Sequence, residues 1–302
     1  GISPEPDRLR LAMRTTRTGA FPIGFRRGWS DWQKDINSLI AWSVQHGMGV
    51  LDLGADAVTD GALVSAAGLT IGSADLKKWT AFTCRDTDGV LQAVEENDAY
   101  IGEMVALGCT NFFAVLLPED PELPRHRNYG YAVQGLRALA PVLEKHGARL
   151  VLEGWPGNGA LACTPETIRA LIHDVGSEAI GLNYDPSHLI RMGIDPVRFL
   201  REFAPHVFHI HGKDTEIDHD AIYECGIEQP TTLRNARGFG STFWRYTIPG
   251  HGEAPWVLIL SILRDFGYRG AISIELEDEN FNGTEEGEKR GLLAGARFLE
   301  DA

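Results

Sequence analysis

Glu144-Lys145-His146-Gly147, followed at once by Arg149-Leu150-Val151-Leu152-Glu153, reads as a helix end running into a buried strand. The glycine suits the left-handed position just past a helical C-terminus. The Leu-Val-Leu run suits a strand covered on both faces, as in a parallel sheet. The same join recurs along the chain. Val44-Gln45-His46-Gly47 precedes an apolar run at 50–53, and Val105-Ala106-Leu107-Gly108 precedes one at 111–117. His173-Asp174-Val175-Gly176 leads into 179–183, and Arg264-Asp265-Phe266-Gly267 into 271–275. One glycine-ended helix is weak evidence; five that each lead into a strand are strong.

Working outward, the pattern predicts strands near 21–26, 49–53, 69–74, 111–117, 149–154, 179–184, 207–212 and 271–276. Helices are predicted near 31–46, 59–67, 88–107, 129–146, 165–175, 195–203, 254–266 and 286–300. Eight alternations favour a parallel sheet closed into a (β/α)8 TIM barrel. The third unit is the least regular, because Gly72-Ser73-Ala74-Asp75 interrupts it. A doubly wound open sheet is disfavoured, since no Gly-x-Gly-x-x-Gly follows the first strand. At 302 residues the chain could hold two domains or one large barrel. With no linker or composition break, 1–302 reads as a single domain. Residues 214–252 break the rhythm as a long insertion after the seventh strand, expected to be a lid or substrate wall, or else a plain insertion or subunit contact.

Composition narrows the partners. The 42 acidic residues exceed the 28 Lys plus Arg, for a net charge of −14. Such a surface repels phosphate backbones and anionic membranes, so neither nucleic acid nor a membrane is expected. Apolar types at 43% and charged types at 23% fit a globular chain and argue against disorder. The four cysteines form no Cys-x-x-Cys pair and read as reduced thiols. Residues 1–17 hold no apolar leader core, and apolar runs stay far short of the roughly 20 residues of a membrane helix. A soluble, cytoplasmic protein and a homo-oligomer are the expectations.

In a TIM barrel the chemistry sits where the strands end. The fifth strand ends in Glu153, the sixth in Asp185, the seventh in His211 and the eighth in Glu275. Taken singly, each carboxylate could be a helix cap, a turn former or a solvated charge, and the histidine a hydrogen-bonded core residue. Together, four neighbouring strands deliver four potential ligands to one mouth. Three carboxylates and an imidazole suit a divalent ion, Mn²⁺ first, with Mg²⁺, Co²⁺ or Zn²⁺ as alternatives.

Leu152-Glu153 followed by Gly154-Trp155-Pro156-Gly157, Tyr184-Asp185-Pro186-Ser187-His188, His209-Ile210-His211-Gly212-Lys213-Asp214, Ile274-Glu275-Leu276-Glu277-Asp278 and Pro249-Gly250-His251-Gly252 carry a resemblance. Together they resemble the xylose isomerase-like TIM barrel superfamily, within it the sugar phosphate isomerase/epimerase proteins, from about residue 35 to the end. The resemblance implies a metal-dependent barrel acting on sugars or polyols, with Glu153, Asp185, His211 and Glu275 as ligands. Ketose 3-epimerases of this superfamily carry a further Glu at the position that is Gly159 here, which puts simple ketohexose epimerisation in doubt. The long insertion resembles the large subunit of C-glycoside deglycosidases, which eliminate an aglycone from 3-keto sugars and often have a small partner subunit.

The expected function is a metal-dependent isomerase or epimerase that moves a proton alpha to a carbonyl, through an enediolate, on a neutral sugar, keto-sugar or polyol. Glu153 and Glu275 would exchange the proton. His188 would bind substrate, assist acid–base transfer or support the ligands, while His209 reads as a core histidine. Lys213 could bind a substrate oxygen or form a surface salt bridge. Trp155 could stack on a sugar, and Arg234, Arg237 and His251 are further candidate contacts. A lyase or C-glycoside deglycosidase is the alternative, and a non-catalytic sugar-binding barrel a minor one. An apurinic endonuclease is disfavoured by the acidic charge and by Leu116-Leu117-Pro118-Glu119, which ends the fourth strand without a histidine.

Overall fold

The structure, a computed structural model, describes residues 13–302; most of the stretch 1–17 read for a leader lies outside the described residues. Eight strands close a barrel in the order β1-β10-β7-β6-β5-β4-β3-β2. They are β1 Ile23–Arg26, β2 Val50–Leu53, β3 Thr70–Asp75, β4 Asn111–Ala114, β5 Arg149–Glu153, β6 Ile180–Tyr184, β7 Val207–Gly212 and β10 Ile272–Ile274. The described pairings among them are parallel. This is the (β/α)8 barrel the helix–glycine–strand rhythm predicts. Gly147 and Gly176 end their helices at φ 65° and 69°, as that reading requires, and Gly47, Gly108 and Gly267 are likewise at positive φ.

The described chain groups into two compact units. One holds the residues up to Val50, Asp185–Arg201 and His211–Ala302; the other holds Leu51–Tyr184 and Glu202–Ile210. In the first, β1 pairs with β10 in the register Ile23↔Ile272 and Phe25↔Ile274. Helix Trp256–Asp265 buries Trp256, Ile259 and Leu263. In the second, β4 lies between β3 and β5, and Phe113, Val115 and Val151 form an apolar cluster against Trp79, Leu117 and Phe208.

The strand expected near 69–74 is present, and two other expectations change. The interruption at Gly72-Ser73-Ala74-Asp75 is strand: β3 runs through it, because Ser73 and Ala74 are small enough to be wholly buried. The single helix expected at 31–46 is two, Asp31–Lys34 and Ile36–Gln45. Asp35 breaks it, adopting extended backbone and accepting from the Asn37 and Ser38 amides as a cap. The insertion is also more than a loop. β8 Asp214–Ile217 and β9 Trp244–Thr247 pair antiparallel, with helix His219–Cys225 between them capped by Asp218. Among the described residues no helix is long and apolar enough to cross a membrane. All four cysteines are free thiols.

Candidate metal centre

Asp185, His211 and Glu275, all in the first unit, each offer a ligand atom, and these atoms lie within 4.8 Å of one another. Local structure explains how each is held. Asp185 follows β6 and caps helix Pro186–Arg191: its Oδ1 accepts from the Ser187 amide at 3.0 Å and from Ser187 Oγ at 2.6 Å. The capping role raised by the sequence thus falls on Oδ1. Oδ2 faces His188 Nε2 at 3.3 Å and Lys213 Nζ at 3.4 Å. Glu153 ends β5 beside Asn183 of β6, whose Nδ2 donates to its Oε1 at 3.2 Å. His211 is fully buried, with Nδ1 3.5 Å from Glu275 Oε2.

Glu275 lies just past β10, with 17% of its side chain exposed. Its Oε1 accepts from Lys213 Nζ at 2.5 Å, and its Oε2 lies 3.7 Å from Arg26 Nε. Lys213, read as a substrate contact or a surface salt bridge, is not at the surface: it is wholly buried and also pairs with Glu277 at 2.6 Å. Burial works to lower its pKa, but Glu275, Glu277 and Asp185 outweigh that and hold it well above the ordinary lysine value. Burial likewise pushes Glu277 up to about 8, against the pull of Lys213. One ammonium and one guanidinium thus stand among several carboxylates. A divalent cation fits a donor set of carboxylates and one imidazole, and it would offset the repulsion between the carboxylates.

His209 Nε2 lies 2.7 Å from Asp52 Oδ2, both groups buried, which makes it the core histidine that its place one layer deeper suggests. Asp52 went unremarked in the sequence, although a lone acid inside Val50-Leu51-Asp52-Leu53 was a legible signal of a buried partner. Tyr246, which reaches His188, carried no such signal. Among the proposed substrate contacts, Trp155 is partly exposed, Arg234 and His251 are exposed, and Arg237 is engaged by Glu279 at 2.8 Å. A cavity of about 590 Å³ opens beside Glu275 and Glu277, bordered by Arg26, Trp29 and Phe239. That volume is within the roughly 300–1,000 Å³ range of small-molecule sites.

Asp214 has a structural role. It accepts from the amides of Thr215 and Ala254 at 2.8 Å and of Gly250 at 3.2 Å, which ties the Pro249-Gly250-His251-Gly252 turn to the hairpin. Burial raises its pKa to about 6, and the amide donors limit the rise. Gly252 is needed for this approach, since a Cβ there would lie 2.3 Å from Asp214 Oδ1 and 2.4 Å from the Thr215 carbonyl oxygen. Gly252→Ala is expected to cost about 2–3 kcal/mol by forcing backbone and carboxylate apart, read as a lower urea midpoint at unchanged slope.

Gly159 has φ +74°, and a Cβ there would meet Pro118 Cγ at 2.8 Å. Any side chain at this position would be strained.

A family model described as xylose isomerase-like TIM barrel matches residues 52–302. The uncharacterized protein YfiH of Bacillus subtilis is 33% identical over 132 residues, 43% of this chain and 40% of its own. The inosose dehydratase of Geobacillus kaustophilus is 30% identical over 166 residues, 54% of this chain and 50% of its own. The chain thus spans about half or less of these relatives. The D-psicose 3-epimerase of Clostridium cellulolyticum H10, solved with D-tagatose, superposes with a TM-score of 0.66 at 15% identity, covering 93% of this chain and 99% of that one. At that identity the likeness is one of fold.

Proposed function

Because the chain belongs to the xylose isomerase-like TIM barrel family, we propose that it is a metal-dependent isomerase or epimerase that moves a proton alpha to the carbonyl of a neutral sugar, keto-sugar or polyol. The observation that carries this reading is the grouping of Asp185, His211 and Glu275, whose ligand atoms lie within 4.8 Å of one another, in a barrel whose fifth strand ends in Glu153. A divalent ion bound there, Mn²⁺ first, would polarise the substrate carbonyl and acidify the adjacent C–H. The protein's own groups do the rest. Glu275 borders the open cavity and takes the proton. Glu153, buried and held by Asn183, enters from another strand and returns a proton from a different direction. Arg26 and Lys213 hold the Glu275 carboxylate in place. The net charge of −14 favours a neutral substrate.

A dehydratase-type lyase is the second reading, favoured by the similarity to inosose dehydratases. It begins with the same proton abstraction and ends with loss of a leaving group from the neighbouring carbon. In D₂O with Mn²⁺, the protein should exchange the hydrogen alpha to the carbonyl of its substrate, followed by NMR across ketoses, inososes and 3-keto glycosides. Prior chelation should abolish the exchange, and restored metal should recover it. Deuterated sugar with all substituents retained supports the isomerase; loss of water or of an aglycone supports the lyase. Exchange that survives complete metal removal would overturn both.

A further inference from the structure

The insertion carries Tyr246 on β9, opposite Thr215 of β8. Its side chain is buried, and its Oη lies 2.6 Å from His188 Nδ1 and 3.0 Å from Arg191 Nη1. The His188 and Tyr246 rings meet nearly edge-on, with centroids 5.3 Å apart at 80°. Arg191 is fixed as well, its guanidinium stacked 4.0 Å from the centre of the Trp244 ring. Next to Tyr246, Arg245 bonds Glu216 at 2.6 Å and the buried Asp278 at 2.9 Å, which locks this strand in place.

Hydrogen-bond polarity follows from the residue types. A guanidinium only donates, so Tyr246 Oη accepts from Arg191. The hydroxyl has one proton of its own, and burial pushes its pKa up, so that proton stays. Of the two partners of Oη, only His188 Nδ1 can accept it. A neutral imidazole that accepts at Nδ1 carries its hydrogen at Nε2, and Nε2 lies 3.3 Å from Asp185 Oδ2.

We propose that Tyr246 is a positioning residue whose hydroxyl donates to His188 Nδ1 and holds the imidazole as the Nε2–H tautomer, with Nε2 on the side of the ring toward Asp185. Arg191, Tyr246 and His188 form one line of hydrogen bonds that ends at the imidazole. His188 offers the site a hydrogen-bond donor and leaves proton uptake to the carboxylates. This assigns a chemical task to the insertion, and it rests on hydrogen-bond geometry alone, whatever the substrate.

Long-range ¹H–¹⁵N correlation spectra of the metal-free protein, labelled at histidine, test it directly. His188→Gln identifies the His188 signals by their loss. The wild-type ring should show the Nε2–H pattern at neutral pH. Tyr246→Phe keeps the ring but removes the donor, and should shift the tautomer ratio at least several-fold toward Nδ1–H. Arg191→Met, which frees the tyrosine proton, should produce a smaller shift in the same direction. An Nδ1–H or doubly protonated ring in the wild-type protein would overturn the assignment even if neither variant folds. So would an unchanged pattern in a folded Tyr246→Phe variant.

Discussion

Glu275→Gln should remove solvent-deuterium exchange almost completely, lowering the rate by about 10³-fold or more while the fold survives. The amide has nearly the shape of the carboxylate but neither its basicity nor its charge. Glu275 also has several jobs at once, bordering the cavity, standing in the ligand cluster and accepting from Lys213. The substitution removes one of several crowded negative charges, so its cost in stability should be small. The check is a rate measured beside a thermal melt: a normal melt with exchange lost is expected, and full turnover in the variant would remove Glu275 from the mechanism. Glu153→Gln should resemble it, except that partial exchange without net conversion would mark Glu153 as the group that returns the proton.

Lys213→Met should be the most damaging change to stability, about 3–5 kcal/mol in the metal-free protein. The ammonium is wholly buried and meets Glu275, Glu277 and Asp185 at 2.5, 2.6 and 3.4 Å. A methionine fills its volume but leaves three carboxylates without their shared counter-charge. Part of this loss should return when Mn²⁺ is added, because a bound cation restores positive charge and binds only the folded state. Denaturant melts with and without metal check both parts. A variant as stable as the wild-type protein without metal would show that the ion pairs contribute nothing net. A loss that metal leaves untouched would separate Lys213 from the metal site.

Most of the barrel was legible before any coordinates. Gly147 and Gly176 occupy the left-handed region at the ends of helices, where the pattern placed them, because few other residues adopt it cheaply. Apolar runs such as Leu150-Val151-Leu152 read as strands because both their faces are covered. Boundaries were less legible. β4 stops at Ala114 although Val115 and Leu116 are equally buried, and burial alone does not distinguish a strand from its apolar continuation. The β8–β9 hairpin was missed because its strands are only four residues each and far apart in sequence, with no short turn to announce the pairing.

The sequence by itself determined that this chain alternates strand and helix and that four of its strands end in a carboxylate or an imidazole, since strand period and residue type are local properties. What those side chains face was decided only by tertiary structure. Lys213 could have been a surface lysine, Asp185 only a cap and Tyr246 one aromatic among many in an insertion. Barrel closure and hairpin pairing bring Lys213 against three carboxylates and Tyr246 against His188, across separations of 58 positions for the latter pair. Contacts of that range depend on how distant backbone segments pack, and no local pattern encodes them.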